Sequence, residues 1–339
     1  MKYNLLICFC VFFLGLLSIA VVGSVSKEIF YQHLLFFCLG IVLMFLIAKI
    51  DVRAFSLWGN TFFIIAVVLL IVTFIIGEQT RGSTRWITIW GFNLQSSEIA
   101  KPLLILFLAG NIRKWRSLIY VLPLFLVFKQ PDLGSTLVLV AIGVIFIINS
   151  GFPKKILILL FLFCLTSIPL GWNFLQEYQR ERIIIFLNPT HDPLGSGYNA
   201  LQSMIAVGNG GLTGLGLGRG TQSHLRFLPE QHTDFIFASF AEELGFAGVI
   251  CLLAVYFILL REILKIANNC EDDFSKMVVL GVYTLFFAQI TINIGMNIGL
   301  LPITGITLPL ISYGGSSLLT MLMGLGLVLS IDRGNESMI

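Results

Sequence analysis

Residues 4–23 read NLLICFCVFFLGLLSIAVVG, twenty positions without a charged side chain. The hydrocarbon core of a bilayer is about 30 Å thick and takes roughly 20 apolar residues of helix to cross, each rising about 1.5 Å. The stretch therefore predicts a membrane-crossing helix, and the chain repeats the pattern. Further runs lie at 30–50, 57–77, 96–112, 117–129, 133–149, 155–172, 235–260, 275–298 and 308–330, so about ten transmembrane helices are expected. The fifth is short and contains Pro123, so it crosses only with tilt or burial inside the bundle. Lys2 and the length of the first run also suit a cleaved export signal, but no A-x-A site follows and nine more spans do, which favours a retained helix.

Composition agrees. The chain is 57% hydrophobic and 12% charged, where a soluble domain is about 25% charged, and its mean hydropathy is +0.94. The expected fold class is an all-α integral membrane protein. Without an internal repeat, heptad pattern or low-complexity tract, residues 1–339 read as one polytopic domain.

Lysines and arginines in short loops stay on the cytoplasmic side. With the N-terminus inside, that side collects Lys2, Lys49, Arg53, Arg113, Lys114, Arg116, Lys154, Lys155, Arg261, Lys265, Lys276 and Arg333. The short outer loops hold Lys27, Arg81, Arg85 and Lys129. Both termini are then cytoplasmic, and the long loop 173–234, between the seventh and eighth spans, is extracytoplasmic. The formal net charge is only +3, and topology accounts for the basic residues better than nucleic acid does. Of six cysteines, five fall in spans and Cys270 in an inner loop; none has disulfide or C-x-x-C metal spacing, so they read as small core residues.

Polar residues gather at the outer ends of spans, in residues 81–101, 129–136 and the end of the long loop. Glu98 and Lys101 are three apart and share a helix face. They are either a structural ion pair or charges lining a cavity for a polar ligand. Trp86 is either an interfacial anchor or, with Arg85 and Trp90, a surface for a sugar and a phosphate. Lys129 and Asp132 flank Gln130-Pro131, either as an exposed turn or with Lys129 facing an anion.

The glycine-rich run GNGGLTGLGLGRGT, 208–221, has neither dinucleotide nor P-loop spacing and reads as flexible or close-packed backbone. Asp234 follows His232 and Thr233 where a helix begins, so it is either a helix cap or a reacting carboxylate. Glu230 and Asp234 are expected to face outer water. Of Glu242 and Glu243, at least one must look into a polar interior. The four histidines form no cluster, and neither a Ser-His-Asp order nor H-E-x-x-H occurs, which speaks against a nucleophilic triad or zinc hydrolysis.

The stretch NIGMNIGLLPITGITLPLISYGGSS, 293–317, resembles the signature of the SEDS family of shape, elongation, division and sporulation proteins. RGSTRWI, QPDLGST, DPLGSGYNALQS and LPEQHTDFIFASFAEELGF are similar to the same family, in its order and across nearly the whole chain. GTQSHLRFLPEQHTDF, 220–235, and the short N-terminal tail are closer to the elongation branch than to the division branch.

The resemblance implies a ten-helix peptidoglycan glycosyltransferase that polymerises lipid II at the outer face of the bacterial cytoplasmic membrane, in rod-shape elongation. It implies an essential aspartate at Asp234, with Trp86, Glu98 and Lys101 in the substrate site. His232 and Thr233 belong to the aspartate's motif and are taken as substrate-binding residues. Arg85, Lys101 and Lys129, or a divalent cation such as magnesium or manganese, are candidates to hold the departing diphosphate. No other cofactor and no resident metal site is expected. A class B penicillin-binding protein is the implied partner, with other elongation-complex membrane proteins beside it. The competing class is a lipid II flippase, and a scaffold for a transpeptidase is a third.

Overall fold

The structure is a computed structural model that describes residues 4–80, 83–89, 92–112, 115–151, 177–188, 192, 196–225, 227, 228 and 230–336. The seventh predicted span, 155–172, lies outside the described residues, as do Trp90, Arg81, Lys2, Arg113, Lys114, Lys154, Lys155, Cys164 and His191.

The described helices are α1 (Leu5–Val25), α2 (Lys27–Lys49), α3 (Gly59–Ile76), α4 (Ser96–Gly110), α5 (Val121–Lys129), α6 (Leu133–Asn149), α7 (Glu177–Leu187), α8 (Ser196–Asn209), α9 (Thr221–His224), α10 (Ile236–Asn268), α11 (Asp273–Asn297) and α12 (Gly315–Glu336). Short 3₁₀ turns, Val52–Trp58 and Trp115–Tyr120, lead into α3 and α5. Among the described residues six segments are long and apolar enough to cross a membrane: α1, α2, 52–76, α10, α11 and α12. The protein is therefore a multi-pass membrane protein, helical as expected.

One element departs from all-helical. Glu78–Thr80 (β1), Ser83–Ile89 (β2) and Phe92–Gln95 (β3) form a three-stranded antiparallel sheet between α3 and α4. Threonine, isoleucine and aromatic residues over TRWITI favour that pleat.

Among the six long spans α11 and α12 are the most enclosed, and the short α4 is as enclosed as they are, while α2 and α3 leave most of their surface exposed. α12 packs along α2 and against α4 and α11; α10 packs on α1 and α11. Charge sorts the bundle into two ends. At one, Arg53 pairs with Asp272 at 3.6 Å and Arg333 donates to the Lys49 carbonyl at 2.8 Å. The sheet, the turn 130–132 and the stretch 230–235 lie at the other.

Two boundaries differ from the sequence reading. The tenth span begins at Gly315 rather than 308, because residues 298–314 form a non-helical strap. Pro302 and Pro309 cannot continue a helical ladder, and Gly305 and Leu310 have positive φ, +75° and +61°. The eighth span is broken at Gly245, whose φ of 66° and ψ of −170° belong to a region open essentially to glycine.

The glycine-rich loop fills this break. Leu215 and Gly216 amides donate to the Glu242 and Glu243 carbonyls at 3.0 and 2.9 Å, and Phe246 and Ala247 amides donate to Gly211 and Leu212. A Cβ on Gly214 would meet the Glu243 carbonyl oxygen at 2.2 Å, so the run is close-packed backbone. Residues 236–243 are all buried in protein, whereas Phe246, Ile250, Leu253 and Phe257 beyond the break are exposed. The broken helix thus keeps its first two turns, directly after Asp234, away from lipid.

Candidate active site

Asp234 is held by its backbone. The carbonyls of His232, Thr233 and Asp234 precede α10, and each accepts from the 293–317 stretch. The Tyr313 amide donates to His232 at 2.9 Å, Ser312 Oγ to Thr233 at 2.8 Å, and the Asn293 and Asn297 amides both to Asp234 at 3.0 Å. Four donors on three successive carbonyls fix the segment. The long apolar signature is therefore the cradle of the H-T-D turn. The N-cap of α10 is Phe235, which makes no side-chain cap hydrogen bond, and Asp234 stands one residue before it.

The Asp234 side chain lines a cavity of about 260 Å³ with Arg182, Glu230, Asn199, Met296 and Pro302. α7, α8 and the strap close over the start of α10 to make it. Arg182 Nη1 donates to the Ile303 carbonyl at 2.9 Å, which ties the guanidinium's helix to the strap. Glu230 bears a positive φ of 51°, and its carboxylate accepts from Thr233 Oγ1 at 3.2 Å. Burial lowers the His232 pKa below its ordinary value against the opposing pull of Glu230, so the imidazole is neutral at pH 7 and adds no cation.

A second polar cluster sits beside the first. Lys101 is fully buried with its Nζ 2.6 Å from Glu98 Oε1. Asp132 accepts from Gln95 Nε2, Ser97 Oγ and the Ser135 amide at 2.9–3.0 Å. Burial alone would raise the Asp132 carboxyl, but Arg85, the Ser135 amide and Lys101 outweigh it and hold the pKa below the ordinary carboxylate value. Arg85 donates to the Gln130 and Pro131 carbonyls and so pins the turn. Trp86 is the next residue on β2 and takes the opposite face, half-buried. Lys129 stands apart, exposed, with its Nζ 5.6 Å from the centre of the Phe125 ring.

The strap joins the clusters. A Cβ on Gly134 would strike Ile306 Cγ1 at 2.5 Å, and one on Gly305 would meet Asp234 Oδ2 at 3.4 Å. Thr304–Ile306 therefore lies between the Asp132 turn and the Asp234 carboxylate.

The other two acids of the motif have a different task. Glu242 accepts from Thr221 Oγ1, the Gln222 and Ser223 amides and Ser223 Oγ. Glu243 accepts from the Gly218 amide and Ser24 Oγ and lies 3.0 Å from His224 Nε2. Both are fully buried, and both tie residues 218–224 to the helix. Sequence reading assigned no role to Arg182, Asn293 or Asn297; the asparagines stand four apart, with Gln289 four before the first, on one face of a membrane span, which is the local signal for them.

A broken-helix bundle with an acid and a guanidinium in one cavity at a single end is the architecture of a membrane protein that handles a polar-headed ligand at a membrane face. The chain matches the model of the cell cycle protein family FTSW/RODA/SPOVE over residues 2–337, and it belongs to that family. The peptidoglycan glycosyltransferase MrdB of Escherichia coli K12 is 38% identical over 305 residues, 86% of this chain and 82% of that protein. The peptidoglycan glycosyltransferase RodA of Treponema pallidum is 31% identical, covering 91% of each. A chain from a peptidoglycan synthase complex, solved to show how polymerization and crosslinking are coordinated, superimposes with a TM-score of 0.85 at 30% identity over 99% of both chains.

Proposed function

We infer that this chain is a peptidoglycan glycosyltransferase of the elongation branch, polymerising lipid II at the outer face of the bacterial inner membrane. The observation that carries the mechanism is Asp234, backbone-fixed, in one cavity with Arg182. The 4-hydroxyl of the acceptor's GlcNAc attacks C1 of the donor's MurNAc. Its proton passes to the Asp234 carboxylate, and the bond from C1 to the diphosphate oxygen breaks with inversion. Undecaprenyl diphosphate leaves without needing a proton, so one base suffices, worth about 10² to 10⁴ in rate.

Charge on the departing diphosphate calls for a preorganised cation. Lys101 is enclosed in its ion pair, Arg85 holds a turn and Lys129 lies on the outer surface, and none of the three lines the Asp234 cavity; Arg182 does, so Arg182 takes this part. A magnesium or manganese ion fits the same cavity: Asp234 and Glu230 would supply carboxylates and the substrate its phosphates, a common division for Mg²⁺. Among the described residues no group of three or more metal-ligating side chains occurs. The outward face of the cavity follows from the basic end of the bundle lying in the cytoplasm, with both termini there. The partner is a class B penicillin-binding protein, in line with the synthase complex that the fold matches.

One observation favours a second reading: transporters use discontinuous helices, and α10 is broken at Gly245. Detergent separates the two. Purified protein given lipid II in micelles is expected to form glycan without any sealed membrane, while a flippase leaves lipid II unchanged there. In the same assay Arg182→Gln is expected to raise KM and lower kcat, together costing about tenfold or more; unchanged kinetics would remove Arg182 from the diphosphate site. Adding a chelator reads out the cation.

A further inference from the structure

Among the buried titratable groups that the chemistry above leaves unused, one histidine is joined by hydrogen bonds to the strap. His33, on α2, is 1% exposed. Its Nε2 lies 2.6 Å from Ser18 Oγ on α1, and Ser18 Oγ donates to the Ile311 carbonyl at 2.7 Å. A hydroxyl has one proton. With that proton on Ile311, Ser18 must accept from the imidazole, which fixes His33 as the Nε2–H tautomer. Its Nδ1 makes no hydrogen bond among the described residues. An aliphatic side chain would fill this place without leaving a nitrogen unsatisfied. What the histidine adds is direction, a chain of two hydrogen bonds ending on a chosen carbonyl.

That carbonyl opens the run that grips the H-T-D turn. Ser312 and Tyr313, the next two residues, donate to the Thr233 and His232 carbonyls. The Tyr313 ring stands near both histidines, its centroid 6.1 Å from that of His33 and 5.8 Å from that of His232. Its hydroxyl donates to Gln32 Oε1 at 2.8 Å. The strap is irregular backbone with a positive φ at Leu310, so it lacks a helical ladder of its own to hold it. Side chains of its neighbours hold it instead: Arg182 at Ile303, Asn293 at Ile306 and Tyr256 at Pro309, and, at the end nearest the H-T-D turn, Gln32 and, through Ser18, His33 of α2.

We propose that His33 and Ser18 are positioning residues for the reaction, setting Ile311–Tyr313 and through them the Asp234 carboxylate. The proposal rests on the reading of Asp234 as base. A displacement of about 1 Å in a reacting group, caused from far away, costs up to about a hundredfold in rate.

The test uses the full-length chain in detergent with lipid II as substrate, measuring kcat, KM and the thermal midpoint. His33→Leu and Ser18→Ala are expected to lower kcat about ten- to a hundredfold, with KM within about twofold of the parent. His33→Gln, whose amide Nε2 keeps a donor for Ser18, is expected to hold kcat within about twofold. Hydrogen exchange over residues 230–236 and 308–315 is expected to quicken in His33→Leu and stay at the parent's rate in His33→Gln. Parental kcat in His33→Leu overturns the proposal, and so does a His33→Gln variant as slow as His33→Leu. Asp234→Asn measured alongside tests the underlying reading alone: if it polymerises, that reading fails, and if it is inactive while His33→Leu is fully active, only the positioning role fails.

Discussion

Lys101→Ala is expected to destabilise the protein by about 3–5 kcal/mol, the cost of leaving one member of a buried ion pair without its counter-charge. Lys101 is fully buried, Glu98 is 5% exposed, and their 2.6 Å contact is the only hydrogen bond of either side chain among the described residues. The damage also spreads, because Lys101 helps hold Asp132 ionised, and that carboxylate gathers Gln95, Ser97 and Ser135 at the end of the bundle. A drop of the thermal midpoint in detergent, or failure to accumulate in the membrane, measures it. The double variant Glu98→Gln with Lys101→Met, neutral and close in volume, is expected to recover most of the loss. A Lys101→Ala protein as stable as the parent would show that the pair is not desolvated.

How far the sequence reached follows a physical line. Membrane spans were legible because a bilayer imposes length and apolarity locally, so α1, α2, α6 and α11 fall close to where their runs predict. The break in α10 was not legible, since Gly245 is one glycine in an apolar run and its φ depends on a loop thirty residues away. The end of the strap, 308–314, hid for a similar reason, because LPLISYG runs straight into the apolar stretch 315–330 with Pro309 as the main local signal against a helix. Glu242 and Glu243 stand out by charge, yet their partners at 218–224 are fixed by tertiary contact. Arg182 lies on a helix of mixed polarity inside the long loop, and only the folded cavity brings it to Asp234. The aspartate itself was legible through the resemblance of its motif, not through spacing.

The largest kinetic effect is expected at Asp234. Asparagine has nearly the same shape and leaves the backbone carbonyl free to accept from Asn293 and Asn297, so the cradle survives. What disappears is an acceptor for the sugar's proton, and the rate should fall by about 10² to 10⁴. The most direct measurement is therefore glycan formed from lipid II by purified Asp234→Asn protein whose thermal midpoint matches the parent. Lipid II bound but left unpolymerised is the predicted result; glycan strands made at the parental rate would contradict a carboxylate base at position 234.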